Sequence, residues 1–173
     1  ILIAMDLANN FNRLETPENT DVREGYYWIK NMTGNPARAH IQINIRDFDD
    51  VTFEARKQYV RDVVELTSKR YPRAKIHADI EDIYRNISGG LGEDRYPIDL
   101  MYEALKSLNI EPKTVAMRGG TDGSALTARG LVTPNYFTGS HNHHGYAEFM
   151  PMDSFVASLD MTLKIIELIA KGR

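Results

Sequence analysis

The stretch HIQINIR, residues 40–46, alternates strictly between apolar and polar side chains. Its three isoleucines, Ile41, Ile43 and Ile45, fall on one face, because successive side chains of an extended strand point to opposite sides. Alternation of β-branched residues is typical of a strand that packs one face on a core. Residues 40–46 therefore predict the clearest strand of the sequence.

The segments on either side of this strand extend the pattern. Residues 23–32 are rich in aromatic side chains and predict a second strand, and the Gly-Asn-Pro run at 34–36 predicts the turn between the two. Apolar side chains recur at helical spacing over 1–14 and 53–70, and residues 74–83 alternate again. The order helix, strand, strand, helix, strand matches a ferredoxin-like domain, the split β-α-β-β-α-β arrangement, without its first strand.

The second half of the chain alternates between helix and strand. A Gly-rich break at residues 88–92 divides the chain into predicted domains 1–90 and 91–173. Beyond the break, the sequence predicts helices over 97–108, 124–129 and 153–170 and strands over 114–117 and 133–138. This alternation is typical of part of an open α/β sheet with functional loops at the strand ends. The predicted fold class is therefore mixed α/β (α+β).

Composition excludes several classes of function. The 173 residues carry a formal net charge of -3 and contain no cysteine. The absence of a polybasic segment argues against nucleic-acid and anionic-membrane partners. No apolar run is long enough to span a bilayer. Without cysteine there are no disulfides and no thiolate metal sites, which fits a reducing compartment, so we expect a cytoplasmic protein.

The first residue lies inside a predicted element. Ile1 opens an amphipathic helix that has no starting Met, no N-cap and no polar entry turn. We therefore expect the chain to be a fragment. The other interpretation is a natural helical start that was processed or trimmed.

A Gly-rich loop with an arginine at its start follows the predicted strand 114–117. In Arg118-Gly-Gly-Thr-Asp-Gly123 the glycines permit close backbone approach to an anion, and the guanidinium offers a planar fork for a carboxylate. The other interpretation is a plain turn with an internal Arg118–Asp122 pair, and spacing alone leaves both open.

Three of the five histidines fall within residues 141–144. Neutral imidazole is a common zinc ligand. Adjacent His143 and His144 point to different sides of an extended chain, so we expect one ligand rather than two. A polar surface loop is the other interpretation, because one or two histidines cannot complete a zinc site.

Two further polar side chains stand at strand ends of the first domain. Arg46 begins the charged run 46–50, which can bind substrate or simply be a solvated strand end with Asp49 or Asp50 as the N-cap of the next helix. Asn86 can hydrogen-bond a ligand or form a turn. His40 and His77 are predicted to be surface residues.

These residues resemble a known family. The runs 118–123 (RGGTDG), 133–139 (TPNYFTG) and 144–149 (HGYAEF) resemble the C-terminal portion of peptidase T, the bacterial tripeptide aminopeptidase. The runs 45–49 (IRDFD), 53–57 (FEARK) and 80–86 (IEDIYRN) resemble its lid domain. The resemblance covers essentially the whole chain.

The resemblance implies a ferredoxin-like lid inserted in an α/β catalytic domain that holds two zinc ions and activates water for peptide hydrolysis. It implies that His144 is the last zinc ligand, although the family usually has Tyr where this chain has His143. It also implies that Arg118, Arg46 and Asn86 bind the small peptide substrate, and that the lid contributes to a homodimer.

The other metal ligands of the family belong to a catalytic half that precedes the residue matching Ile1. This chain would supply at most one ligand to the zinc pair, so we expect it to need that half and to be inactive alone. A second hypothesis is a non-enzymatic ligand-binding or dimerisation module that pairs through Ile41, Ile43 and Ile45. A nucleic-acid-binding ferredoxin-like domain comes third and is disfavoured by the acidic balance.

Overall fold

The computed structural model describes residues 1–83 and 86–172, and within them the chain forms two compact units. The first unit contains residues 1–83 together with 116–119, and the second contains the described residues of 84–115 and 120–173. Tyr84 and Arg85, which belong to the 80–86 resemblance, lie outside the described residues, as does Arg173. The division into domains at residue 90 stays a prediction.

The first unit is built on an antiparallel hairpin of β1 (Tyr26–Gly34) and β2 (Ala39–Arg46). Asn35 fixes the turn between them, because its side-chain oxygen accepts hydrogen bonds from the backbone N–H groups of Ala37 and Arg38. The register shifts between Ile29 and Asn31, which inserts a β-bulge in β1. Both predicted strands and the predicted turn are therefore present.

Two helices pack on one face of the hairpin, α1 (Leu2–Ala8) and α2 (Asp50–Arg70). Their core consists of Leu7, Phe11, Tyr27, Val60 and Val63. Ile41, Ile43 and Ile45 pack against this core, as their alternation predicts. These three side chains are partly buried, and the dimer through Ile41, Ile43 and Ile45 stays a prediction.

The first predicted helix is longer than the observed one. It ends at Ala8 rather than near residue 14, because the Asn10 amide donates to the carbonyl oxygens of Asp6 (2.7 Å) and Leu7 (3.3 Å) and so competes with further helical turns. Phe11 still reaches the core from the loop that follows.

Residues 74–83 form no strand, which corrects the third predicted strand of the first domain. Ile76 and Ile80 pack against the core on the predicted face, but no backbone in the described part of the chain pairs with this segment. A side-chain pattern reports burial, whereas a strand also needs a hydrogen-bonded neighbour.

The second unit is mainly helical, with a 3₁₀ turn (Ile87–Gly90) followed by α3 (Tyr96–Ser107), α4 (Asp122–Ala128) and α5 (Met152–Ala170). α3 packs on α5 through a core of Leu100, Ala104, Met161 and Leu168. All three helices lie within about two residues of the sequence prediction.

Residues 114–117 and 133–138 likewise form no strand in the described part of the chain, which corrects both predicted strands. Val115 and Met117 are 67% and 56% exposed, so the segment 114–117 is not buried either. The second lies against α5, where the Ser158 hydroxyl donates to the Phe137 carbonyl at 3.1 Å and Phe137 packs on the core. None of the helices described is long and apolar enough to cross a bilayer.

The charged run after β2 organises the start of α2. Asp49 is the N-cap, as predicted, and its carboxylate accepts from the Thr52 N–H at 2.9 Å. Asp47 is held by Arg56, whose Nε lies 2.7 Å from the carboxylate and whose guanidinium stacks over the Tyr27 ring. Gly25 makes room for this pair, because a Cβ there would stand 2.0 Å from the Asp47 carboxylate oxygen.

We expect the Asp47–Arg56 pair to make stability depend on acid pH. Burial works to raise the pKa of Asp47, but hydrogen bonds from Arg56, the Asp49 backbone and Thr52 outweigh it and lower the pKa below its ordinary value of 3.8. The stabilisation is therefore present above about pH 4 and is lost as pH falls through the lowered value. Asp47→Asn should cost about 2 kcal/mol at pH 7.

Urea unfolding of both proteins between pH 2 and pH 7 checks this expectation, and the difference between them should shrink below pH 4. A difference that stays constant over that range would show that the Asp47 charge does not contribute.

Candidate functional site

Arg118 belongs to the first unit, where its guanidinium makes three hydrogen bonds to one loop. Nη1 donates to the carbonyl oxygens of Pro17 (3.2 Å) and Thr20 (2.6 Å), and Nη2 donates to the Thr20 hydroxyl (2.5 Å). The guanidinium carbon lies 4.5 Å from the centre of the Tyr26 ring. Arg118 thus ties the segment 116–119 to the 16–20 turn and to the start of β1.

All three acceptors are neutral, so the positive charge of Arg118 is not compensated by a carboxylate among these contacts. Its Nε is buried and has no hydrogen-bond partner. A buried donor that lacks a partner costs about 1–3 kcal/mol. The structure therefore shows an anchor with unused donor capacity, while the binding of a substrate carboxylate by Arg118 stays a prediction.

Replacing Arg118 with alanine should destabilise the first unit by about 2 kcal/mol, because three hydrogen bonds and the stack on Tyr26 are lost together. Faster hydrogen exchange of the backbone N–H groups around residues 16–20, with β2 unchanged, would show the local origin of the loss. Arg118→Lys is the matched variant, since it keeps the charge but not the planar fork. Unchanged exchange at 16–20 in Arg118→Ala would contradict the anchoring role.

Arg46 stands at the end of β2, where it pairs in the ladder with Tyr26. Since Arg118 stacks on that same tyrosine, the hairpin end brings two predicted substrate residues next to one aromatic ring. Tyr26 itself was not singled out from the sequence. Its place in an aromatic run, Tyr26 to Trp28, signalled only a strand.

Asn86 caps the 3₁₀ turn Ile87–Gly90. Its side-chain oxygen accepts from the Ser88 N–H at 2.9 Å and from the Ser88 hydroxyl at 2.8 Å. The turn role that the sequence allowed is therefore present, and the substrate role of Asn86 stays a prediction. Asn86 and His144 belong to the second unit, and Arg46 and Arg118 to the first.

The Gly-rich loop leads into α4. A Cβ on Gly123 would stand 2.4 Å from the Thr133 carbonyl oxygen, so only glycine fits where α4 begins beside residues 133–135. The Asn135 amide donates to the Thr121 hydroxyl at 3.1 Å and closes the same junction. Gly119, in contrast, has open space around it. Close backbone approach in this loop thus serves packing at Gly123.

Residues 141–149, which we call the histidine loop, are held together by contacts within the loop. His141 and Phe149 exchange backbone hydrogen bonds of 2.9 Å and 3.2 Å, and their rings stack at 5.0 Å. The Asn142 amide donates to the Ala147 carbonyl at 3.1 Å. The side chain of His143 is held by the Ser140 hydroxyl (3.1 Å) and the Glu148 carboxylate (3.6 Å). The His141 ring is therefore stacked within the loop, and His143 is held there through Nδ1.

His144 differs from His141 and His143. Its backbone has φ of 63°, a left-handed conformation that is uncommon for residues other than glycine, and its side chain is exposed. Within the described part of the chain its imidazole makes no side-chain hydrogen bond. Strained backbone of this kind collects at functional sites, where the surrounding structure holds it.

The metal site cannot be completed by the described residues. They contain no group of three or more His, Cys, Asp or Glu side chains that could hold a metal ion. A zinc ion in a protein has at least three protein ligands. The geometry fits His144 as one available imidazole ligand, and it fits no more than that.

The chain is similar over nearly its whole length to peptidase T and peptidase T-like proteins. A peptidase T-like protein of Yersinia pestis is 52% identical over 172 residues, which are 99% of this chain and 42% of that protein. Another, from Rhizobium meliloti, is 43% identical over 98% of this chain and 42% of its own length. Peptidase T of Caldanaerobacter subterraneus is 38% identical over 99% of this chain and 42% of its own length. The chain thus spans about two fifths of the length of these relatives.

Solved structures show the same fold. A tripeptidase from Staphylococcus aureus matches 98% of this chain and 45% of its own, with a TM-score of 0.73 and 19% identity. Aminopeptidase PepT from Bacillus cereus matches with a TM-score of 0.65 and 18% identity over the same shares. No protein-family model matches the chain. These findings confirm the mixed α/β class and the resemblance to peptidase T that the runs at 118–149 indicate.

Proposed function

We propose that this chain is part of a zinc-dependent tripeptide aminopeptidase that releases the N-terminal residue of tripeptides. The observation that carries the proposal is His144. It has an exposed imidazole on a strained backbone, and it lies in a chain that is 52% identical to a peptidase T-like protein. The proposed location of the enzyme is the cytoplasm, without nucleic-acid or membrane partners.

In this proposal His144 holds one of two zinc ions through a neutral imidazole nitrogen. The zinc pair, when bound, supplies the activated water for amide hydrolysis. The remaining ligands come from a catalytic half that this chain does not contain, so the isolated chain is inactive. His143 is held by Ser140 and Glu148 through Nδ1 alone, so the choice of His144 over His143 rests on the resemblance to peptidase T.

The substrate contacts of the proposal are Arg118, Arg46 and Asn86. The Arg118 guanidinium lies over the Tyr26 ring, and Arg46 pairs with Tyr26 in the ladder. Arginine suits the C-terminal carboxylate of a short peptide because its planar guanidinium can bind a carboxylate through two hydrogen bonds. The homodimer of the proposal forms through the lid domain, residues 1–90.

Co-expression tests the proposal. This chain is produced together with the part of the Yersinia pestis peptidase T-like protein that it does not match, and the purified pair is incubated with zinc and a tripeptide. We expect one free amino acid from the N-terminus and one dipeptide as products. The same tripeptide with an acetylated N-terminus is the control and should stay intact. A stable pair that cleaves neither peptide, or that cleaves both equally, would contradict the proposed function.

A further inference from the structure

α5 carries a second apolar face that nothing in the second unit covers. Its inward face packs on α3 through Met161, Ile165 and Leu168. Elsewhere on the helix six apolar side chains are 48–58% exposed: Phe155, Val156, Leu159, Leu163, Ile166 and Ile169. We call these six residues the α5 stripe.

The spacing of the α5 stripe makes it continuous. At 3.6 residues per turn its members fall within an arc of roughly 140°. The charged side chains of α5 lie in one narrow strip beside the stripe, with Asp153 and Asp160 and the Lys164–Glu167 ion pair of 2.6 Å. A helix that is apolar on two sides is typical of an element that is buried on both. Contiguous exposed apolar surface of this kind marks an interaction site.

The segment 133–138 borders the α5 stripe. The Tyr136 hydroxyl is hydrogen-bonded to the Thr162 hydroxyl at 2.6 Å, and the Ser158 hydroxyl donates to the Phe137 carbonyl, so this segment lies against the flank of α5. In the described part of the chain no strand pairs with it. A partner that contributes a strand could cover the α5 stripe and pair with the segment 133–138 at the same time.

We propose that the α5 stripe is the docking surface for the portion of a peptidase T-like polypeptide that this chain does not span. The chain covers 42% of the length of its Yersinia pestis relative, so more than half of that protein has no counterpart here. The proposal rests on the proposed function in one respect, namely that the chain works together with this other portion. It adds the surface through which the two portions meet.

Competition for the partner tests the docking surface without reference to activity. The unmatched part of the Yersinia pestis protein is co-expressed with two forms of this chain that differ in tag length. One form is the unchanged sequence and the other carries Leu159→Glu with Leu163→Glu. We expect the unchanged form to be captured about 10- to 100-fold in excess, because two carboxylates would be buried without partners.

The matched control is Asp160→Lys, which changes the charge of the same helix by two units on the polar strip, and it should be captured equally. Leu159→Met with Leu163→Met should also bind, since methionine keeps the surface apolar. Equal capture of the double glutamate form would overturn the proposal, as would a purified complex that contains only copies of this chain. If the glutamate form fails to fold, hydroxyl-radical labelling of the unchanged pair decides. Phe155 and Leu159 should lose labelling on assembly, and unchanged labelling would overturn the proposal.

The outcome is independent of the proposed reaction. A pair that assembles through the stripe but cleaves no peptide would contradict the enzyme function and leave the docking surface intact. A pair that cleaves tripeptides and still assembles with Leu159→Glu and Leu163→Glu in place would contradict the docking surface and leave the enzyme function intact.

Discussion

Replacing His144 with alanine should lower the tripeptidase activity of the assembled protein about 1,000-fold or more. Loss of one ligand removes a metal ion whose charge stabilises the transition state by several kcal/mol, and each 1.36 kcal/mol is a factor of ten in rate. The measurement is the initial rate of tripeptide cleavage at saturating zinc, together with the zinc content of the purified assembly. The zinc content should fall with the rate.

The control for this substitution is His143→Ala. Because His143 is held by Ser140 and Glu148, its loss should disturb the loop only locally and leave most of the activity. The reverse pattern, an inactive His143→Ala protein and an active His144→Ala protein, would assign the ligand to His143. Full activity in both variants would remove the histidine loop from the metal site.

Replacing Phe11 with alanine should lower the free energy of unfolding of the first unit by roughly 3–5 kcal/mol. The Phe11 ring is 7% exposed and lies 5.2 Å from the Tyr27 ring and 6.0 Å from the Tyr59 ring. It stands at the centre of the core between α1, α2 and the hairpin, so the cavity cannot be refilled by a neighbouring side chain. Urea unfolding followed by tyrosine fluorescence measures the loss.

Leu14→Ala is the matched control for Phe11→Ala. Leu14 lies three residues further along the same loop and is 72% exposed, so its truncation should change stability by less than about 0.5 kcal/mol. Equal effects of the two substitutions would show that Phe11 does not hold the core together.

The sequence predicted the helices and the hairpin well because each is decided locally. The alternation at 40–46 placed Ile41, Ile43 and Ile45 on the core, and the carboxylate of Asp49 fixed the start of α2. The end of α1 escaped prediction, because it depends on the Asn10 amide turning back to the Asp6 carbonyl.

The sequence could not predict features that depend on distant partners. The segments 74–83 and 133–138 carry strand-like patterns, yet a ladder needs a neighbouring backbone that a pattern does not supply. Arg118 was recognised from its residue type and its loop. Its contacts with Pro17 and Thr20, about a hundred residues earlier, could not be derived from local spacing.

For His144, too, the sequence gives the residue type, and the structure adds the conformation. The chemistry of an imidazole in a loop suggested a metal ligand, and the resemblance selected His144 over its neighbours. The left-handed backbone and the exposed side chain of His144 agree with this choice. In the proposed function the other ligands of the zinc pair come from the catalytic half that this chain does not match.

Peptide cleavage by the isolated chain tests the central claim most directly. The purified 173-residue protein is incubated with added zinc and a trialanine peptide, and release of free alanine is followed over time. We expect no release above the rate of trialanine with zinc and without protein. In the proposal His144 is a single ligand, and a zinc ion needs at least three. Clear turnover by the isolated chain that is abolished by His144→Ala would contradict it.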